Sequence, residues 1–281
     1  MKTAFVTPEK YAKEALRLSK EVDATGGKKL KSFAKVMREN RGSLARFNYY
    51  GETGDGMERK NPLIVALGDS VTAGHFEFAG NFIENFKKVD EGTLTADDYI
   101  EITDARVCYL EQFRGKLIDK FEQTSVSTIN SGIAGDVLWG MQKRLYRDVI
   151  RYQPDLILLN GCLNWPAECG GNQEYEKVLK EIVTCMKTET QAEIVLMTPN
   201  MDYVPEEMKA FSNPNSTVAD RVDIIRRVAH EMDVFLADTY KVWEAYVAQG
   251  NPLLELLANG SNHPSVTGHE MYANVLMQLF D

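Results

Sequence analysis

Residues 63–74 read LIVALGDSVTAG, and this stretch decides the fold. The five apolar residues 63–67 show no polar alternation, so both faces of the run are buried, as in a central strand of a parallel sheet. Gly68-Asp69-Ser70 interrupts the run and the chain turns toward a helix. A serine at such a turn points its hydroxyl at the open end of the sheet. Unbonded backbone N–H groups and the helix dipole lie nearby to steady negative charge. A nucleophile belongs there. The stretch is not the G-x-S-x-G elbow, because position 72 is Thr, and not a P-loop, because no Gly-Lys-Ser/Thr follows.

Outward from this point the same rhythm repeats. Residues 126–130 (VSTIN), 156–159 (LILL), 193–197 (EIVLM) and 234–237 (VFLA) are further strand candidates. Helical-period segments at 111–123, 137–151, 174–188 and 216–232 lie between them, and an amphipathic run at 267–280 closes the chain. Alternation of this kind predicts a three-layer α/β/α domain over residues 62–281, built on a mostly parallel five-stranded sheet. Ligands of such sheets bind outside the carboxyl ends of the strands, so the chemistry is expected just after these runs. Residues 1–61 break the rhythm. Segments 9–22 and 29–39 read as charged amphipathic helices, and 47–56 (FNYYGETGDG) as an aromatic stretch ending in turn residues. The expectation is an N-terminal helical extension packed on the domain. Its Phe47, Tyr49 and Tyr50 either cover the surface or wall a substrate cleft or an oligomer contact, the last implying a homo-oligomer.

Composition bounds the partners. The chain has 281 residues, a net charge of −9 and 44% hydrophobic residues, which excludes disorder and a disulfide mini-scaffold. A pI near 5.1 and the lack of a long basic stretch argue against nucleic acid, whose binding draws on clustered positive charge. No apolar run reaches the roughly 18 residues of a membrane span. The segment 1–13 turns charged too early for a secretory signal. Cys108, Cys162, Cys169 and Cys185 form no CxxC pair, so reduced thiols in a cytoplasmic protein are expected rather than a metal site.

Three more blocks follow in order: Asn130-Ser131-Gly132-Ile133-Ala134-Gly135-Asp136 after the second strand, Gly161-Cys162-Leu163-Asn164-Trp165 after the third, and Asn262-His263-Pro264-Ser265-Val266-Thr267-Gly268-His269 before the last helix. Together with Gly68-Asp69-Ser70 they make residues 62–281 resemble the GDSL/SGNH hydrolase family, whose fold is flavodoxin-like. The resemblance implies that Ser70 is the nucleophile and His263 the general base. It further implies an oxyanion hole made of the Ser70 N–H, the Gly135 N–H and the Asn164 side-chain amide. The chemistry agrees: acyl transfer through serine needs a base and preorganised donors where the carbonyl oxygen becomes negative. Asp69 and Trp165 are the candidate substrate-binding residues, Trp165 either as a stacking surface for a sugar ring or as an apolar wall.

The chain departs from the family pattern twice. The third block keeps the amide but replaces Gly and Asp of Gly-x-Asn-Asp. The last block lacks the Asp of Asp-x-x-His, since Gly260 stands three residues before His263 and no carboxylate lies between Glu255 and Glu270. A Ser-His dyad is therefore expected, its imidazole held by a main-chain carbonyl within 259–261, with a carboxylate from elsewhere as the alternative. His230 reads as structural, His269 as packing and capping, and His75 as a residue that could line the pocket. No cofactor and no metal are implied. The expected function is a metal-independent serine esterase acting on a small-molecule ester with a short acyl group, an O-acetylated carbohydrate first. Lysophospholipase or acyl-thioesterase activity is the alternative, and a catalytically inactive acyl- or sugar-binding protein the alternative from another class.

Overall fold

The computed structural model describes residues 6–40, 61–78, 88, 91–93, 95, 101–122, 125–204, 206, 209 and 212–281. The aromatic stretch 47–56 lies outside them. In chain order come α1 (Glu9–Glu21), α2 (Ser32–Asn40), β1 (Leu63–Gly68), α3 (Ser70–Ala73), β2 (His75–Phe78), β3 (Glu101–Thr103) and α4 (Tyr109–Lys120). There follow β4 (Ser127–Gly132), α5 (Leu138–Asp148), β5 (Leu156–Asn160), α6 (Asn172–Glu189), β6 (Glu193–Met197), α7 (Val218–Glu231), β7 (Phe235–Ala237), α8 (Thr239–Ala248) and α9 (Val266–Met277).

The main sheet has five strands in the order β4-β1-β5-β6-β7, all parallel. The chain leaves β1 to build β4 on one side and returns to build β5 on the other, so the strand order reverses beside β1. Ser70 stands immediately after that strand, at the point where such sheets bind ligands. The unbroken apolar run of β1 explains its central place. Ile64 and Ala66 enter one core cluster with residues of α4, α8 and α9, while Val65 and Leu67 enter a second with residues of α5, α6 and α7.

The first two helices share the first cluster, with Ala15, Leu18, Phe33 and Met37 buried in it. Polar bonds hold them to the chain's last helix and its exit. The Asn274 amide donates to Ser19 Oγ at 2.9 Å, and Leu30 N–H to the Leu279 carbonyl at 2.8 Å. The Glu193 carboxylate, at the start of β6, accepts from the N–H groups of Lys31, Ser32 and Phe33. It thereby caps α2 with a charge of the sign that a helix N-terminus favours.

The sequence patterns did not anticipate α8 or the antiparallel β2–β3 hairpin. Helix α8 (TYKVWEAYVA) buries Thr239, Tyr240, Val242, Trp243 and Tyr246, which leaves no narrow apolar stripe to recognise. The hairpin strands are only four and three residues long. All four cysteines are unpaired. Among the described residues, no helix is long and apolar enough to cross a membrane.

Candidate active site

The site begins with a cap. Asp69 Oδ1 accepts from the Val71 N–H at 3.0 Å and so starts α3, the four-residue helix whose first residue is Ser70. The close packing of this turn explains the glycine that ends β4. A Cβ on Gly132 would come within 2.1 Å of the Ala73 nitrogen, so β4 and α3 can touch only through glycine. The Asn130 amide then donates to the Thr72 carbonyl at 2.7 Å, tying the second block to the first.

His263 arrives from the other end of the chain, with its Nε2 3.0 Å from Ser70 Oγ and its Nδ1 3.3 Å from the Phe76 carbonyl oxygen. A carbonyl can only accept, so Nδ1 carries the hydrogen and the Nε2 lone pair faces the serine hydroxyl. Ser70 and His263 are 5% and 7% exposed. Burial, first, and the neighbouring His75, second, lower the His263 pKa to about 4, while the Phe76 carbonyl acts in the opposite direction. The imidazole is therefore neutral and able to accept a proton over most of the pH range.

The expected carbonyl from 259–261 is corrected here: the carbonyl that meets Nδ1 belongs to Phe76. The preceding loop is organised around its own bonds instead. Asn259 Oδ1 accepts from the N–H groups of Ser261, Asn262 and His263 at 3.0 Å each. The Ser261 carbonyl is taken by the Tyr203 N–H and the Asn262 carbonyl by the Asn200 amide.

Gly135 lies in the turn after β4 with φ +70, a left-handed conformation that favours glycine. That turn is set beside Ser70 by the Ile133 N–H, which donates to the Gly68 carbonyl at 3.1 Å. Among the described residues, no carbonyl accepts from the Gly135 N–H. Asn164, on the loop after β5, donates from Nδ2 to the Asp136 carbonyl at 3.3 Å and joins the third block to the second. At the carboxyl edge of the sheet His263 thus meets Ser70, and the turn that holds Gly135 is bonded on one side to the residues before Ser70 and on the other to Asn164.

Two buried arginines that sequence reading missed hold these loops. Arg144 of α5 donates to Asp136, Asp148 and the carbonyls of Ser131 and Gly68. Arg221 of α7 donates to the carbonyls of Cys162, Leu163 and Ser216. A usable signal existed. Arg144 falls in register with Leu138, Met141 and Leu145, and Arg221 with Val222 and Ile225, so each is a charge on the apolar face of its helix.

The two expected substrate contacts are corrected by burial. Asp69 is 0% exposed and serves α3 as its cap. Desolvation, with a smaller contribution from Asp136, pushes its carboxyl up to about 7. Trp165 is 3% exposed, packs edge-on against Trp139 and Tyr175, and donates from Nε1 to the Gly170 carbonyl, so no ring face is open to a sugar. Of its two readings, the apolar wall fits. His269 is fully buried and its Nδ1 accepts from the Tyr109 N–H at 3.2 Å, at the first turn of α4.

A parallel sheet with a serine at the end of its first strand and a histidine brought to that serine from before the last helix defines an α/β hydrolytic enzyme. The chain belongs to the GDSL-like lipase/acylhydrolase family, whose model matches residues 66–271, and it is a carboxylic ester hydrolase. No curated protein matches it. Among solved structures, Axe2, an acetylxylan esterase from Geobacillus stearothermophilus, is 21% identical, with 78% of this chain and 93% of that one covered at a TM-score of 0.54. A lipase/acylhydrolase from Enterococcus faecalis is 19% identical over 77% of this chain and 95% of that one, TM-score 0.56. LAE5, an alpha/beta hydrolase enzyme from the metagenome of Lake Arreo, Spain, is 19% identical over 78% and 94%, TM-score 0.54. At these identities the likeness is one of fold.

Proposed function

We propose that this hydrolase works through an acyl-enzyme on Ser70, with His263 as general base. The observation that carries the reading is the 3.0 Å approach of His263 Nε2 to Ser70 Oγ, with Nδ1 committed to a carbonyl acceptor. Ser70 Oγ attacks the ester carbonyl carbon as its proton passes to Nε2. The oxyanion is met by the N–H groups of Ser70 and Gly135 and by the Asn164 amide. Collapse breaks the bond to the alcohol oxygen, which leaves with the proton from His263. Water then repeats the attack on the acyl group and frees Ser70.

For the substrate we propose a short acyl ester, an O-acetylated carbohydrate first. The acetylxylan esterase among the proteins of like fold supports this choice. Trp165 no longer does, being covered. A lipid or thioester substrate is the second reading. It is favoured by Ile133, 44% exposed on the Gly135 turn, and Tyr203, 46% exposed on the loop bonded to Ser261.

A fluorophosphonate probe tests the mechanism. It should label Ser70 alone, and Ser70→Ala should lose both labelling and hydrolysis of p-nitrophenyl acetate. Labelling at another serine would overturn the assignment, and an unlabelled, inactive protein would favour a binding role. Hydrolysis of acetyl against octanoyl esters, with acetate release from an acetylated xylooligosaccharide, separates the substrates.

A further inference from the structure

The β2–β3 hairpin is irregular at one place. His75 pairs with Thr103 and Glu77 with Ile102, so the register shifts by one residue at Phe76. A bulge of this kind takes a residue out of the regular pairing and re-aims it, and bulges gather next to active sites. Here the carbonyl it presents is the one that meets His263 Nδ1.

The residue before the bulge also touches the same imidazole. The rings of His75 and His263 stack with centroids 6.1 Å apart and planes 19° apart, and both residues are 7% exposed. His75 Nδ1 is hydrogen-bonded to Thr103 Oγ1, its cross-strand partner. One end of the hairpin thus supports His263 at an edge, through Phe76, and on a face, through His75. A separation of 3.3 Å is beyond the usual 2.7–3.2 Å range of an N–H to oxygen bond, so the carbonyl alone would hold the ring loosely. The stacked ring limits its rotation.

We propose that His75, clamped by Thr103, is a positioning residue for His263, and that the bulged hairpin orients the base as a carboxylate does in a Ser-His-Asp triad. The proposal rests on the reading of His263 as the base. Besides His75, the described titratable groups around His263 are few. His269 of α9 lies behind Phe76, with ring centroids 5.1 Å apart, and its Nδ1 is taken by the Tyr109 N–H. Asp104, after β3, is turned to Arg106, and Asp69 is turned to the Val71 N–H. None of these forms a hydrogen bond with His263. Burial and the neighbouring His75 lower its proton affinity and the Phe76 carbonyl raises it, so losing His75 removes a neighbour that disfavours the imidazolium and opens the ring to water.

The test compares the wild type with His75→Ala, Thr103→Val, Thr103→Ser and the double variant His75→Ala/Thr103→Val. The readouts are p-nitrophenyl acetate kinetics against pH, the rate of fluorophosphonate labelling at Ser70, and thermal unfolding. His75→Ala should lower kcat and the labelling rate about tenfold or more, a share of the gain that a well-placed base provides. KM should stay within about twofold, the pattern of a group acting on the chemical step. The acid limb of the pH profile should move up toward the ordinary ~6.5 of a histidine. Thr103→Val should lose in the same direction and Thr103→Ser should recover most of that loss, with the double variant no worse than His75→Ala. Should His75→Ala fail to fold, the Thr103 pair decides on the same readouts. Unchanged kcat and acid limb in an active, Ser70-dependent enzyme, or a change in KM alone, would overturn the proposal while leaving the esterase reading intact. A wild type that neither hydrolyses nor labels would overturn both.

Discussion

Arg144, in the middle of α5, donates at 2.9 Å to the carbonyl of Gly68, two residues before Ser70. The same guanidinium pairs with Asp136 and Asp148, and the three side chains are 7%, 11% and 16% exposed. Replacing one member of such a cluster leaves charges covered without a partner. Arg144→Met should therefore destabilise the protein by about 3–5 kcal/mol in urea unfolding, the usual cost of breaking a buried ion pair from one side. Arg144→Lys should retain part of that stability but lose activity, because a single ammonium cannot reach two carboxylates and two carbonyls at once. A Met variant of unchanged midpoint and activity would remove Arg144 from this role.

The activity of the wild type should persist into acid. His263 must be neutral to accept the serine proton, and its pKa is lowered to about 4 by burial and by His75. Accordingly kcat/KM should rise through a midpoint near that value and be flat well before the ordinary ~6.5. The stability contribution has the matching sign: below about 6.5 the unfolded chain binds a proton that the folded histidine refuses, so stability is lost as the pH is lowered from about 6.5 to about 4. A pH-rate midpoint above 7 would mean that a carboxylate faces the imidazole.

Asn164 should act on the chemical step. Its amide approaches the Asp136 carbonyl at only 3.3 Å, which holds the side chain between two loops while leaving its second hydrogen for a ligand. Asn164→Ala should keep the fold and lower kcat by about 10²-fold or more, as removal of an oxyanion donor does. Steady-state kinetics on p-nitrophenyl acetate will tell. A rise in KM at constant kcat would make Asn164 a substrate-binding residue.

The N-terminal segment should prove integral to the site's support. Thr7 Oγ1 donates to the Glu255 carbonyl at 2.8 Å and shares a hydrogen bond of 2.8 Å with Ser265 Oγ, which caps α9 two residues after His263. Thr7→Val strips these bonds at constant shape and should cost about 1–3 kcal/mol by leaving buried groups unsatisfied. Deleting residues 1–40 should expose the apolar surface that Leu18, Phe33 and Met37 cover, giving an aggregating or unfolded protein by light scattering and circular dichroism. A soluble, active truncation would instead make the segment dispensable.

Much of this was legible in the chain. The uninterrupted run before Gly68 gave β1 its central place, since burial on both faces leaves no position for a polar residue. Strand 193–197 coincides with β6, and the helical periods fall on α4, α5, α6, α7 and α9 with ends shifted by a few residues. The positions of Ser70, Gly135, Asn164 and His263 at strand ends or before the last helix are local facts, written in turn residues and in the apolar runs that precede them.

What the sequence by itself determined was the order of elements, the parallel sheet and the edge at which chemistry gathers, because burial patterns and turn chemistry are properties of short stretches. Tertiary structure alone decided the rest. The acceptor for His263 Nδ1 lies 187 residues away in a strand of four residues, presented by a bulge that no periodicity announces. Trp165 and Asp69 are covered by segments from elsewhere, and Arg144 and Arg221 find carbonyls on loops that other strands supply. A pattern along the chain records how deeply a residue is buried. Which group it meets there depends on how distant segments pack, and that is fixed only when the layers close.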